Sequence, residues 1–475
     1  MPELAAIAKS PPPPRRLILA TACLGAFLAT LDTSIVNIAL PQIARQFHSS
    51  LVQISWVMVV YLLFNVSLLL SSGRLGDLLP PGRLHLLGVA VFTLASALCG
   101  FSPNLSWMLA GRALQGVGAS LMLGVAPKII AVAYGEGERG LALGLFSTAF
   151  ASGISVGAPL GGLITYYLGW PYIFFINIPI CLVVLILGSR SLGVLAAPAR
   201  WAWRAFDLWG GLTLGGSLGL LVLGLTWVRA SGWQDPWTLG ALGLGALFFL
   251  LLLFLEPRQT APLLPGTLWG SSAFLLGSLA VVLTFAAVMG TFFLLPFFLE
   301  QVYGYLPQQT GLLLAAIAVT NALVAPLGGL LADRLGNLVV LRSGSALILL
   351  GLGSFWFTGA QTSTLSLAAR FALLGLGFGL FKAPNLNEIL KWLQPSMIGL
   401  AAATNAVLKN LGALLGITLI VTVFAWINLH QVSLGTGVSL PLTSYHMAFT
   451  AALGLGGVNL LCSFLPRKPS TKKPF

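Results

Sequence analysis

Ser71-Ser72-Gly73-Arg74-Leu75-Gly76-Asp77-Leu78-Leu79-Pro80-Pro81-Gly82-Arg83 separates two long apolar runs, and a shortened echo, Leu327-Gly328-Gly329-Leu330-Leu331-Ala332-Asp333-Arg334-Leu335-Gly336, separates two others. Asp77 and Asp333 stand 256 residues apart. Two more landmarks keep that spacing. Arg112 and Arg370 each open an apolar run and stand 258 apart; Pro127 and Pro384, late in those runs, stand 257 apart. Three landmarks at nearly one offset make a parallel internal repeat, in which each half of the chain lays down the same elements in the same direction.

Composition says what those elements are. Of 475 residues, 57% are hydrophobic and only 7% charged, whereas soluble domains carry about 25% charged residues. Such a chain is solvated by lipid, and an all-α membrane protein is expected, because a helix satisfies its own backbone in hydrocarbon. A span needs about 20 apolar residues. Runs of this kind fall near 17–40, 52–72, 84–101, 105–128, 140–166, 171–190, 206–229, 236–256, 271–299, 309–332, 338–358, 364–390, 398–426 and 444–465, fourteen in all. Eight spans fill the repeat offset and six belong to the repeat, so spans 7 and 8 are an insert. The expected domains are a tail at 1–16, a six-helix bundle at 17–190, two inserted helices at 206–256, a second bundle at 271–465 and a tail at 466–475. The first tail ends in Pro11 to Pro14 and Arg15-Arg16 with no cleavage site after it, which reads as a flexible tail rather than a signal peptide.

Lys and Arg number 24 against 11 acids, a formal charge of +13. On a soluble chain this would suggest nucleic acid. Here the bases lie between apolar spans, so membrane topology explains them and no nucleic-acid partner is expected. With the N-terminus placed in the cytoplasm, 18 of the 24 bases fall on the inner side, only Arg45 and Arg229 on the outer side, and Arg112, Arg370, Lys382 and Lys409 within spans. Both termini are therefore expected to be cytoplasmic. Cys23, Cys99, Cys181 and Cys462 all sit in apolar runs without metal-ligand spacing and read as small core residues. No phosphate-binding loop, catalytic triad, paired-carboxylate site or metal cluster is visible. The chain is not expected to be an enzyme or to hold a cofactor or metal.

The resemblance to a known family rests on several motifs. Span 1 carries Leu31-Asp32-Thr33-Ser34-Ile35-Val36-Asn37-Ile38-Ala39-Leu40-Pro41; span 4 carries Arg112, Gln115, Gly116 and Gly118; span 5 carries Gly153, Gly157, Pro159, Gly161 and Gly162. FFINIPI at 174–180, FDLWG at 206–210 and LPFFLEQVYGY at 295–305 add to them. Together they resemble the fourteen-span drug:proton antiporter family of the major facilitator superfamily over nearly the whole chain. The resemblance implies the major facilitator fold, two parallel six-helix bundles related by an axis along the membrane normal. It implies a monomer in the bacterial inner membrane that exports a small amphipathic compound by alternating access, with the proton as coupling ion. A lipid or glycolipid exporter of the same fold is the alternative.

Asp32 is the only carboxylate inside span 1. At 1.5 Å per residue it lies about 22 Å from the inner edge, and Arg112 about 10 Å from the outer edge. In a core of about 30 Å both fall at similar depth. The resemblance implies that spans 1 and 4 line the cavity. The pair is then either a proton-coupling site, since Asp titrates while Arg stays charged, or a fixed ion pair joining two helices. Gly73, Gly76, Asp77 and Arg83, with the second-copy residues Gly329, Asp333 and Arg334, form a candidate gate, or a plain tight turn. Pro80 stands where the family pattern has Gly, and the following basics shrink to Arg83. The span 5 glycines and Pro159 let that helix bend and pack tightly. The second half departs here: Gly416 occupies the position 257 residues after Pro159, and Met289 that of Asp32, so coupling chemistry is expected in the first half alone. Asn37, Tyr61, Gln115, Asn321, Arg370, Asn385, Glu388 and Asn405 are the candidate cavity residues. Lys382 and Lys391 line the cavity or snorkel to the interface as anchors. Basic groups outnumber acids in this set, which favours anionic or zwitterionic amphiphiles over dications.

Overall fold

The structure, a computed structural model, describes residues 15–192, 208–232, 234–255, 271–391, 398–433 and 442–466. Both expected tails before Arg15 and after Pro466 lie outside the described residues, as do Arg200, Arg204 and the break at Glu256-Pro257-Arg258. Among the described residues fourteen helices are long and apolar enough to cross a membrane. They are span 1 (Arg15–Gln46), span 2 (Leu51–Leu78), span 3 (Pro81–Gly100), span 4 (Leu105–Ala133), span 5 (Glu136–Tyr167), span 6 (Pro171–Ser191), span 7 (Leu208–Ser231), span 8 (Pro236–Leu255), span 9 (Ser272–Tyr303), span 10 (Pro307–Leu335), span 11 (Asn337–Ser354), span 12 (Thr364–Leu390), span 13 (Ile398–Ser433) and span 14 (Leu442–Cys462). Short polar residues set where helices start. Ser50 and Gln53 form a reciprocal capping box on span 2, Asn104 caps span 4, Ser271 span 9 and Ser363 span 12. Gly304 closes span 9 in the left-handed region at φ 68°, a conformation that suits a residue without Cβ.

The packing repeats with the sequence. Span 1 lies along span 5, and spans 2 and 3 along span 4. In the second half span 9 lies along span 13, and spans 10 and 11 along span 12. These are the same pairings shifted by eight spans, as a parallel duplication with an insert requires. The halves meet along two seams, span 5 against span 10 and span 2 against span 13. Spans 7 and 8 pair with each other, tied by a hydrogen bond from Ser217 to the Gly245 carbonyl at 2.9 Å. Span 7 also lies on both span 2 and span 13. Its Gly211 and Gly215 come close to Ser71 and Ser67 of span 2, and Thr422 of span 13 donates to its Leu225 carbonyl at 3.3 Å.

The halves are not equally close at all depths. Near the face opposite the one where span 1 starts, Gly162 of span 5 has no room for a Cβ, which would stand 3.2 Å from the Gln308 and Gly311 Cα atoms of span 10. Arg45 pairs with Glu300 across the halves on that side. Asn37 donates to the Phe292 carbonyl at 2.8 Å, and Asn410 to Asn65 at 2.9 Å nearer mid-depth. Towards the terminal face, where span 1 starts and span 14 ends, Ser147 and Thr148 of span 5 and Leu327 and Leu330 of span 10 are exposed. The bundles close on the opposite side and part towards the terminal side.

Candidate functional site

Asp32 and Arg112 are both fully buried, and Arg112 Nη1 lies 2.5 Å from Asp32 Oδ2. That is shorter than the usual charge-assisted N–H···O distance of about 2.7–2.9 Å. The carboxylate has two more donors: Gln115 Nε2 at 3.2 Å and Asn177 Nδ2 at 2.8 Å, both to Oδ1. Arg112 is held in turn by the Val57 carbonyl at 2.9 Å through Nε and by Gln115 Oε1 at 2.8 Å. Its guanidinium carbon stands 4.3 Å from the centroid of the Tyr61 ring. Tyr61 donates to the Ala29 carbonyl at 3.3 Å, and Gln115 Nε2 also donates to Ser96 at 2.8 Å. One carboxylate thus gathers side chains from spans 1, 2, 3, 4 and 6.

Span 5 backs span 1 from the side opposite the carboxylate: Thr30 and Ser34, two residues either way from Asp32, lie about 200° round the helix from it. A Cβ on Gly153, Gly157 or Gly161 would collide with Thr30, Ser34 or Ile35 respectively. Thr30 and Ser34 donate across the contact to the carbonyls of Phe150 and Ile154, each at 2.9 Å. Span 5 runs as one helix from Glu136 to Tyr167 through Pro159, and its glycines are the residues that meet span 1. Arg112 Nη2 and Asn177 Oδ1 are buried without a hydrogen-bond partner among the described residues. The network therefore has unused donor and acceptor capacity inside a site that is otherwise saturated.

The gate residues divide. Gly73 and Gly76 pack against Gly124 and Val125 of span 4. Lys128 Nζ bridges the Gly76 carbonyl and Asp77 Oδ1, each at 2.6 Å. These residues form the last turns of span 2 rather than a loop after it, and Lys128 clasps that helix end to its own bundle. Arg83 is exposed. In the second copy Asp333 and Arg334 are exposed at the end of span 10, Gly329 faces open space, and its neighbour Gly328 makes the close approach to Gly379 and Leu380. Gly329 is therefore not the packing glycine at this end of span 10: one step along the helix turns it away from span 12.

Several expected cavity residues have other employment. Gln115 and Tyr61 belong to the Asp32 cluster, and Asn37 spends its amide on the seam with span 9. Arg370 does not reach mid-membrane. It donates through Nε to the Ser354 carbonyl at 3.0 Å and through Nη1 to Ser366, at the opposite-face end of spans 11 and 12. The reason is visible in the repeat: Met289 stands in the place of Asp32 and offers no carboxylate. Asn385 donates to the Gly277 carbonyl of span 9 at 3.1 Å and serves as interhelical glue. Glu388 accepts from Asn337 at 3.4 Å where span 11 begins, so it belongs to the terminal face rather than to a mid-depth cavity. Asn321 and Asn405 are buried with an unpartnered Oδ1. Asn177 and Ser96 escaped the sequence reading. Asn177 lies inside the FFINIPI run at 174–180, and its polarity in that apolar stretch was the available signal; Ser96 gave none.

Comparison with known proteins agrees with this architecture. The chain is 32% identical over 410 residues to the riboflavin transporter RibZ of Clostridioides difficile (strain 630), covering 86% of this chain and 88% of that one. It is 32% identical over 473 residues to the puromycin resistance protein pur8 of Streptomyces alboniger, covering 96% and 92%. It is 30% identical over 398 residues to a tetracenomycin C resistance and export protein of Streptomyces glaucescens, covering 84% and 74%. Among solved structures, the peptide transporter POT in complex with sulfate superposes with a TM-score of 0.67 over 94% of both chains at 15% identity, a likeness of fold. The family profile described as Major Facilitator Superfamily matches residues 22–417. With its fourteen spans, duplicated six-helix halves and buried Asp32 cluster, the chain belongs to the Major Facilitator Superfamily.

Proposed function

We propose that this transporter is a proton-coupled exporter of a small amphipathic compound, working by alternating access in the bacterial inner membrane with both chain ends in the cytoplasm. One observation carries the coupling: a fully buried carboxylate, Asp32, whose ion-pair partner is the fully buried guanidinium of Arg112. A proton arriving on Asp32 removes one charge of the pair and leaves the other. The resulting imbalance at the junction of five spans favours a different arrangement of span 1 against span 4. The exchange is proton for substrate and needs no cofactor. The relatives support the direction, since they include resistance and export proteins.

A second reading is supported by the exposed terminal-side parts of spans 5 and 10. They leave the span 5/10 seam open to an amphiphile entering sideways from a leaflet, so a lipid or glycolipid exporter fits the same frame. Proteoliposomes with an imposed proton gradient test the main reading. Wild-type protein is expected to move an amphipathic substrate against its gradient, and Asp32→Asn to lose gradient-driven transport while still exchanging substrate at equilibrium. Undiminished proton-driven transport by Asp32→Asn removes Asp32 as the coupling group.

A further inference from the structure

Lys382 of span 12 and Lys409 of span 13 are the second half's two bases at depth. Lys382 Nζ stands 4.8 Å from the centroid of the Phe378 ring. Phe378 is one turn earlier in span 12, on the side away from the terminal face. The ammonium is thus aimed into the membrane, not snorkelled to the nearer surface, which sets aside the anchor reading for this residue. Lys409 Nζ stands 5.9 Å from the Phe285 ring of span 9, and the Phe285 and Phe378 rings meet edge to face with centroids 5.0 Å apart. Four side chains from three spans therefore form a row of ammonium, ring, ring and ammonium. Phe285 lies 13 residues into span 9, about 20 Å along its axis, which places the row near mid-depth.

Nothing on the chain balances them among the described residues. The described carboxylates of the second half are Glu300, paired with Arg45; Asp333, exposed at the terminal face; and Glu388, bonded to Asn337. The Asp32 carboxylate is saturated within its own cluster. Neither lysine takes part in any described ion pair. Both keep partial exposure although they sit deep in the bundle, so each borders open space rather than packed core. Two uncompensated charges at depth are costly, and a negatively charged group between them relieves that cost. The paired rings offer an apolar edge beside it.

We infer that Lys382 and Lys409, with Phe285 and Phe378 between them, form the substrate subsite for an anionic group (carboxylate, sulfonate or phosphate) carried on an aromatic or otherwise flat apolar body. The inference rests on the reading of the protein as an exporter of amphipathic compounds and supplies the charge class of the compound. It also moves the anion site from Arg370, which is engaged elsewhere, to the lysine pair.

Protein in phosphatidylcholine nanodiscs, titrated with 1-pyrenebutyrate and with neutral 1-pyrenebutanol, tests this by energy transfer from tryptophan, with empty nanodiscs subtracted. Wild type is expected to prefer the anion by about tenfold, the value of one charge-assisted contact. Lys382→Gln/Lys409→Gln is expected to erase the preference for the anion over pyrenebutanol, and Lys382→Arg/Lys409→Arg to keep it. Each single Gln variant, a milder change to the fold, is expected to lose part of the preference. Equal binding of the two probes by wild type, or an unaltered preference in the Gln variants, overturns the inference. The titration uses no proton gradient, so it reads the subsite whether or not Asp32 couples protons, and the proteoliposome assay reads the coupling whether or not the subsite exists.

Discussion

Replacing Asp32 by Asn exchanges one oxygen for an amide nitrogen and disturbs three partners. The new amide keeps one oxygen, able to go on accepting from Gln115 and Asn177, but its nitrogen then faces Arg112 Nη1 across the 2.5 Å contact, donor against donor. Turning the amide over restores an acceptor for Arg112 and loses the other two bonds. Either way Arg112, fully buried, has lost its ion-pair partner. Breaking a buried pair from one side costs about 3–5 kcal/mol. Taking about 2–4 °C per kcal/mol for a unit the size of one bundle, the melting temperature should fall by roughly 6–20 °C. Arg112→Gln should cost a similar amount, since it strands Asp32. The double variant Asp32→Asn/Arg112→Gln leaves no charge in the cluster and should recover about 3 kcal/mol relative to the sum of the singles. Thermal unfolding of the four purified proteins in one detergent closes the cycle. Strict additivity, or singles that melt like wild type, would refute the claim that this pair is a tightly held, mutually dependent unit.

Three further outcomes follow from other contacts. Gly157→Leu has no room against Ser34 and should lower stability by at least about 1–3 kcal/mol through overpacking at the span 1/5 contact; a variant with wild-type melting and transport would show that the contact is not needed. Arg45→Ala or Glu300→Ala removes the cross-half pair on the opposite face. Each should raise the labelling rate of a cysteine placed at Gln301, with little change in melting because Arg45 is more than half exposed, and unchanged labelling would mean that the pair does not help to close that face. In a cysteine-free background, an impermeant thiol reagent added outside cells should modify His48→Cys and spare Asp333→Cys, the two positions being exposed on opposite faces; the reverse pattern would invert the orientation read from the basic residues.

The fold was legible because its signals are long. Fourteen apolar runs and an offset kept by Asp77/Asp333, Arg112/Arg370 and Pro127/Pro384 need no knowledge of contacts. The meeting of Asp32 with Arg112 was legible too, since helical rise alone sets their depth. What depth cannot give is azimuth. Asn385 and Glu388 have the polarity of cavity residues, but three residues of helix turn them to span 9 and to the start of span 11. Arg370 holds the position equivalent to Arg112, and only the change of Asp32 to Met289 in the other half of the repeat hinted that it would find different partners. Asn177 and Lys128 were missed because their roles depend on what arrives from other spans, Asp32 in one case and Asp77 in the other.

Span 7 changes the mechanics of such a molecule. Two bundles that rock about a central site have two slots between them, equivalent by symmetry. Here one slot is taped over: a single helix lies on span 2 with Gly211 and Gly215 and is bonded to span 13 through Thr422 and the Leu225 carbonyl. A joint strapped on one side behaves like the spine of a book. Its pages swing widest at the fore-edge, which in this molecule is the span 5/10 slot, and a long hydrocarbon tail would hang out of that edge alone. For the alternating-access motion proposed above, the added pair of helices would make the rocking handed, leaving the span 5/10 slot as the one that span 7 does not cover.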